Sequence, residues 1–255
     1  MSLRTALIGM GKMGKTFLSL FPEYEISCCH ICTLDPEKHT TPYPISSSLE
    51  DIPWKEIDYI IDFSHADAML ERMEYLSQQG TPVVLGTTGW NHIEKDVLSL
   101  FTQKNCPLVW GSNFSMGMWC FQTIVQHSIS LLSEFPQFDI GLFEAHHKAK
   151  KDAPSGTMLS IKQTISQHMP QKTFFHSAKE QDSGHDSIDI ATLRAGDIPG
   201  THMIWIDGND EQITLSHAVR NRQAFARGAI EAGRLLLEHP GIWHVHELFS
   251  AVTNK

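Results

Sequence analysis

The stretch "EAHHKAKKDAPSGT" at residues 144–157 packs two adjacent histidines, three lysines and a Pro-Ser-Gly-Thr run into fourteen residues. An imidazole with an ordinary pKa of about 6.5 moves a proton near neutral pH. Ser155 reads as the N-cap of a helix that opens with Gly156 and Thr157, and the N–H groups of such a helix start hold a carboxylate. Lys150 adds positive charge beside it. The stretch therefore reads either as an anion-binding and proton-transfer loop or as a solvated basic loop before a capped helix. Zinc between His146 and His147 is a third option, although adjacent ligands alone rarely complete a tetrahedral site.

A second chemical stretch, "GMGKMGKT" at 9–16, satisfies two phosphate-binding patterns at once. Gly9, Gly11 and Gly14 fit the G-x-G-x-x-G of dinucleotide sites. Gly9, Gly14, Lys15 and Thr16 fit the G-x-x-x-x-G-K-[ST] of nucleotide triphosphatases. Both patterns use a sharp turn that brings backbone N–H groups and a helix dipole to a phosphate. Cys29 and Cys32 form a C-x-x-C among five cysteines, an odd number. No second pair completes a zinc site, and the surrounding "YEISCCHICT" reads as a strand, where residues three apart face opposite ways. Buried cysteines in a reducing compartment are the expectation.

The elements that must carry these residues follow two patterns. Over the first 110 residues, strands ("LRTALI", "YEISCCHICT", "IDYIIDFS", "TPVVLGTT", "CPLVWGS") alternate with helices, save an irregular connection at 34–53 rich in Pro, Ser and Thr. Alternation with few charges predicts a doubly wound parallel sheet. Beyond it, a long amphipathic helix leads to the strand "FDIGLFEAHH" and the helix that Ser155 opens. "SIDIATLRAG", "THMIWIDGND" and "EQITLSHAV" then follow as consecutive strands, with a hairpin turn at Asp207-Gly208-Asn209-Asp210. They predict an antiparallel or mixed sheet in a second, α+β unit. Residues 221–238 return to helix, and the chain ends in a short helical tail.

The chain's 255 residues bury enough surface for stability without disulfides. A net charge of −9, with no basic run longer than "KAKK", argues against nucleic acid as a partner. No apolar run approaches the length of a membrane span, and no secretory leader is evident. A soluble, cytoplasmic protein is expected.

Residues 144–157 resemble the signature of the 4-hydroxy-tetrahydrodipicolinate (dihydrodipicolinate) reductase family, E-A-H-H-x-x-K-x-D-A-P-S-G-T, throughout. "GMGKMG", "GTTGW" at 86–90, "GSNFSMG" at 111–117 and "TLRAGDIPGTH" at 192–202 resemble that family's other motifs in the same order. The resemblance makes the loop at Gly9 a dinucleotide site and the triphosphatase match coincidental, even though Asp62 could imitate a magnesium-binding acid. It implies hydride transfer from NADPH or NADH to a cyclic dicarboxylate, with loss of water, on the route to diaminopimelate and lysine.

By position, the resemblance makes His146 the proton donor or acceptor and Lys150 a second proton donor that also attracts the substrate's charge, and assigns His147, Ser155, Gly156 and Thr157 to the substrate. Gly9, Met10, Gly11, Lys12, Met13, Gly14, Gly86, Thr87, Thr88, Gly111, Ser112, Asn113 and Phe114 fall to the cofactor. No resident metal is implied. A Rossmann-like domain of residues 1–115 and 222–255 is expected around a substrate-binding and oligomerisation domain of 116–221. A hinge between them and a homotetramer joined through the second sheet are expected too. Where relatives carry a ribose-binding acid, this chain has Thr33, with Asp35 two residues on and Lys38 or His39 near enough for a phosphate; NADPH is the expected preference. The alternative is a cofactor-sensing regulatory protein on the same fold.

Overall fold

The computed structural model describes residues 2–175 and 186–253. The chain divides into two compact units, Met1–Met116 with Arg222–Lys255, and Gly117–Asn221.

In the first unit, β1 (Leu3–Ile8), β2 (Ile26–Cys32), β3 (Ile45–Ser46), β4 (Tyr59–Asp62), β5 (Val83–Leu85), β6 (Leu108–Trp110) and β12 (Ile242–His244) form one sheet in the order β12-β6-β5-β4-β1-β2-β3. Every neighbouring pair is parallel. Such strands are buried on both faces, which is why "ALI", "YIID" and "VVL" are fully buried. The helices α1 (Lys12–Leu20), α2 (Met69–Gln79), α3 (Glu94–Lys104), α6 (Gln223–Glu238) and α7 (Val245–Thr253) complete the unit. The strand order reverses between β1 and β4, so the loops after these strands leave the sheet edge in the position where α/β proteins bind ligands.

Three short strands fall outside the sequence expectation. Residues 34–53, expected to be irregular, contain β3, which adds an edge to β2 through Ile31–Ile45 and Cys32–Ser46. The C-terminal tail is not helix alone, because β12 pairs with β6 first. The third is β8 (Thr173–Phe175) in the second unit.

That unit is a mixed five-stranded sheet, β11-β10-β7-β9-β8, built from β7 (Asp139–His146), β8, β9 (Ser187–Arg194), β10 (Thr201–Asp207) and β11 (Gln212–Ala218). β10 is antiparallel to both β7 and β11, whereas β9 is parallel to β7 and β8. The β10–β11 hairpin closes with the Gly208 N–H donating to the Glu211 carbonyl at 2.8 Å. On one face, Ile140, Leu142, Ile190, Ile204 and Ile206 pack with apolar residues of α4 (Met116–Leu132) and α5 (Gly156–His168). The opposite face presents Phe143, Ala191, Leu193, Met203 and Trp205. Among the described residues no helix is long and apolar enough to cross a membrane.

Candidate active site

The candidate proton-transfer residues belong to the second unit. His146 ends β7 and stands in register with Arg194 of β9, while Glu144, two residues earlier on the same face, faces His202 of β10. The loop 147–155 then returns the chain so that α5 begins beside them. Ser155 caps α5, its Oγ accepting from the Met158 N–H at 3.2 Å. Glu144 is fully buried and ties the group together. Its Oε2 accepts from the Ser155 N–H at 3.0 Å and its Oε1 from Arg194 Nη2 at 2.8 Å. Arg194 Nη2 also donates to the Asp152 carbonyl at 2.7 Å, and the Ser155 hydroxyl lies 3.1 Å from His202 Nε2.

Charge follows from this packing. Burial pushes the Glu144 carboxyl up, but the hydrogen bonds from Ser155 and Arg194 together outweigh it and hold it below the usual range. Burial lowers His146; Glu144 and Asp152 oppose that shift, and Lys150 and Arg194 reinforce it. Burial likewise drives His202 down to about 4, with His146 adding to the effect. The rings of His146 and His202 meet edge to face at 5.1 Å. Lys150 Nζ donates to both Asp152 carboxylate oxygens, at 2.8 and 2.7 Å. His147 is half-buried, and its carbonyl accepts from the Lys150 N–H. Gly156 is exposed at the helix start and Thr157 half-buried beside it.

Glu144, His146 and His202 offer ligand atoms within 4.8 Å of one another, spacing that a divalent ion could use. The Arg194 guanidinium already pairs with that carboxylate, however, and a second cation there would meet its charge.

The cofactor candidates lie in the first unit, at the C-terminal ends of β1, β2, β5 and β6. Gly9 has φ +95°, and a side chain there would press on the Phe63 carbonyl 2.6 Å away. A Cβ on Gly14 would collide with the Gly9 carbonyl, so only glycine lets α1 approach the loop. Gly11 is the N-cap of α1 without a side-chain hydrogen bond, and no acidic residue lies in the first turn. This start, with free N–H groups and open space at Gly11, fits a pyrophosphate. Thr16 Oγ1 instead donates to the Lys12 carbonyl at 2.9 Å, and the buried Asp62 accepts from Arg72, Ser64 and Thr87. Thr16 and Asp62 are thus both engaged within the protein.

The remaining candidates differ in what they expose. Lys12, Thr88 and Ser112 are exposed, and Met13, Thr33 and Asn113 half-buried. Gly86, Thr87 and Gly111 are buried; Met10 and Phe114 keep 7% and 1% exposure, so both side chains belong to the core. Phe63 was not foreseen. Its ring lies 5.8 Å from that of Phe114 and fills the space a Gly86 side chain would need, so it joins the three loops.

Residues 3–114 match the family described as "Dihydrodipicolinate reductase, N-terminus", and residues 117–249 match "Dihydrodipicolinate reductase, C-terminus". The chain belongs to the dihydrodipicolinate reductase family. Among its relatives, the 4-hydroxy-tetrahydrodipicolinate reductase of Caldanaerobacter subterraneus subsp. tengcongensis is 31% identical over 93% of this chain and 94% of that one. The enzyme of the same name from Methanoculleus marisnigri is 32% identical over 76% of each. A dipicolinate-bound dihydrodipicolinate reductase from Paenisporosarcina sp. TG-14 superposes with a TM-score of 0.76 at 22% identity, covering 96% of this chain and 98% of that one. Reductase-family membership makes the dinucleotide-binding, doubly wound fold of the first unit the expected home of NAD(P)H. The second unit carries the signature histidines.

Proposed function

We propose that this chain is a cytoplasmic reductase that converts 4-hydroxy-tetrahydrodipicolinate, NAD(P)H and a proton to tetrahydrodipicolinate, NAD(P)+ and water, on the route to diaminopimelate and lysine. One observation carries the reading: in a chain that matches the family over both units, Glu144 stands 4.0 Å from His146 and accepts from the Ser155 N–H at the start of α5, which can hold a carboxylate.

Bound in the first unit, a reduced nicotinamide supplies the hydride. The loop Gly9–Gly14 would hold its pyrophosphate, with Gly86–Thr88 and Gly111–Phe114 along the rest of the cofactor. Phe114 and Met10 take part through backbone or as support, because their side chains are buried. In the second unit, the Gly156 and Thr157 N–H groups and the Thr157 hydroxyl bind a substrate carboxylate, with Ser155, whose own N–H is held by Glu144, beside them, and His147 lines the same loop. His146 donates or accepts a proton, and Lys150 attracts the dianion and serves as the second donor, with one proton taken up net because the loss of water returns a proton from the substrate ring. Residues 1–115 with 222–255 and residues 116–221 thus divide cofactor from substrate, with closure between them and a homotetramer built on the second sheet.

The Asp35 carboxylate is paired with Lys38 Nζ at 2.8 Å, which supports NADPH: the acid is already engaged, and the lysine lies beside it for a 2′-phosphate. The test is to mix purified protein with freshly made synthase product and follow loss of nicotinamide absorbance with NADPH and then NADH. Product-dependent oxidation, with the lower KM for NADPH, is expected. Cofactor binding without oxidation would favour the sensing alternative, and a far lower KM for NADH would overturn the preference.

A further inference from the structure

Both Nδ1 atoms of the paired histidines, His146 and His202, are buried without a hydrogen-bond partner. A donor or acceptor left so costs free energy, and the charged group nearest the His146 Nδ1 is the Glu144 carboxylate, whose other oxygen faces the Nε2 side of His202. Glu144 Oε1 stands 4.0 Å from His146 Nδ1, and Glu144 Oε2 stands 4.0 Å from His202 Nε2. The same carboxylate accepts from Ser155 N–H and is held by Arg194. Neither 4.0 Å contact is a hydrogen bond here, but such contacts tighten when a substrate closes a site.

We propose that Glu144 is the positioning residue of this site: locked by Arg194, its one carboxylate orients the imidazole of His146 and fixes the carboxylate-binding start of α5. The inference rests on the reductase reading for its link to turnover, but not for its geometry. A negative charge beside Nδ1 favours the tautomer with the proton on Nδ1. The Nε2 edge, which lies against Gly200, is left to exchange the proton with substrate. Because Oε2 holds the Ser155 N–H while Oε1 faces His146, a rotation of the carboxylate would disturb both at once. Proton donor and anion site are thereby set in one register. Arg194 has the opposing role: it fixes the carboxylate and draws part of its charge away from His146.

The groups that face His146 are Glu144 on β7, Lys150 and Asp152 in the following loop, Arg194 on β9 and His202 on β10. Of these, Glu144 and Asp152 favour the protonated ring; Asp152 is exposed and already engaged by Lys150. Removing the Glu144 charge should therefore lower the His146 titration point, and removing the Arg194 charge should raise it.

The experiment is a ring-proton NMR titration of the full-length protein, with the His146 resonance assigned by its loss in His146→Gln. Glu144→Gln should move the His146 midpoint down by about one pH unit, and Arg194→Gln should move it up. The same Glu144→Gln change should carry the alkaline limb of the kcat/KM profile to lower pH by about one unit, a roughly tenfold loss above it. Glu144→Asp, which keeps the charge, should restore most of the midpoint. An unmoved midpoint in Glu144→Gln, or equal downward movement in both variants, would reduce the pair to scaffolding and overturn the inference. If Glu144→Gln does not fold, Arg194→Gln at its half-buried position decides by sign alone: an unchanged or lowered midpoint overturns the inference. The titration needs no substrate. A protein that failed to turn over would sink the reductase reading and leave this coupling separately measured.

Discussion

His146 gives up more proton affinity to burial than Glu144 returns to it, so at neutral pH the neutral ring predominates. As the proposed donor, such a ring would work from a minor protonated fraction that a bound dianion would enlarge. Removing the ring should therefore be felt in turnover rather than in binding. His146→Ala is expected to lower kcat by about 10²- to 10⁴-fold, with KM changing far less, in steady-state assays. Retention of most of the turnover would end the acid–base assignment. Its neighbour His202 makes a prediction about stability instead. The unfolded chain takes up a proton there near pH 6.5, whereas the folded chain resists it until about pH 4. The stability that this residue contributes is complete above pH 6.5 and is lost as pH falls toward 4, about 3 kcal/mol in all. His202→Gln can still bond the Ser155 hydroxyl but has no ring to titrate, so denaturant unfolding should fall off with acid less steeply in the variant. Equal slopes between pH 6.5 and 4 would mean that other groups govern acid unfolding.

At the scale of elements, a clear period or a capping residue made a segment legible. The strand before "HHKAK", the Ser155 cap and the parallel alternation of the first hundred residues are all present as read. β3, β8 and β12 have two or three residues each, too few to show a period of two, and they exist because a neighbouring strand offers them an edge. Arg194 and His202 were visible inside "TLRAGDIPGTH" but silent about their role. They lie 50 and 58 residues beyond Glu144, and only the β7–β9 and β7–β10 registers bring them to it. Helix α6 shows the same limit. Gly228 in its middle would be improved by alanine if propensity decided, by up to about 1 kcal/mol. Here a Cβ at 228 would run into the Phe114 carbonyl oxygen, which forces helix and loop apart. Gly228→Ala is therefore expected to destabilise by roughly 1–3 kcal/mol, read as a lower Tm. A raised Tm would show that the loop yields freely.

For the whole molecule, the unanswered surface is the open face of the second sheet. Helices α4 and α5 supply apolar cover on one side only, and antiparallel sheets tolerate that when the other side is polar. This one is not. Trp205 and Leu193 are 37% and 45% exposed, with Phe143, Met203 and Ala191 between or beside them across three strands. A contiguous apolar patch on a chain of net charge −9 is a place for association, not for water. In a closed symmetric oligomer the same face meets itself, so one substitution appears in every copy of the contact. Trp205→Glu would set like charges opposite one another there, at a position away from the signature loop. Light scattering should find the unmodified chain as a tetramer and the Trp205→Glu chain as a smaller species. A tetramer in both would move the interface to another surface, and a monomer in both would leave this face to a partner of a different kind.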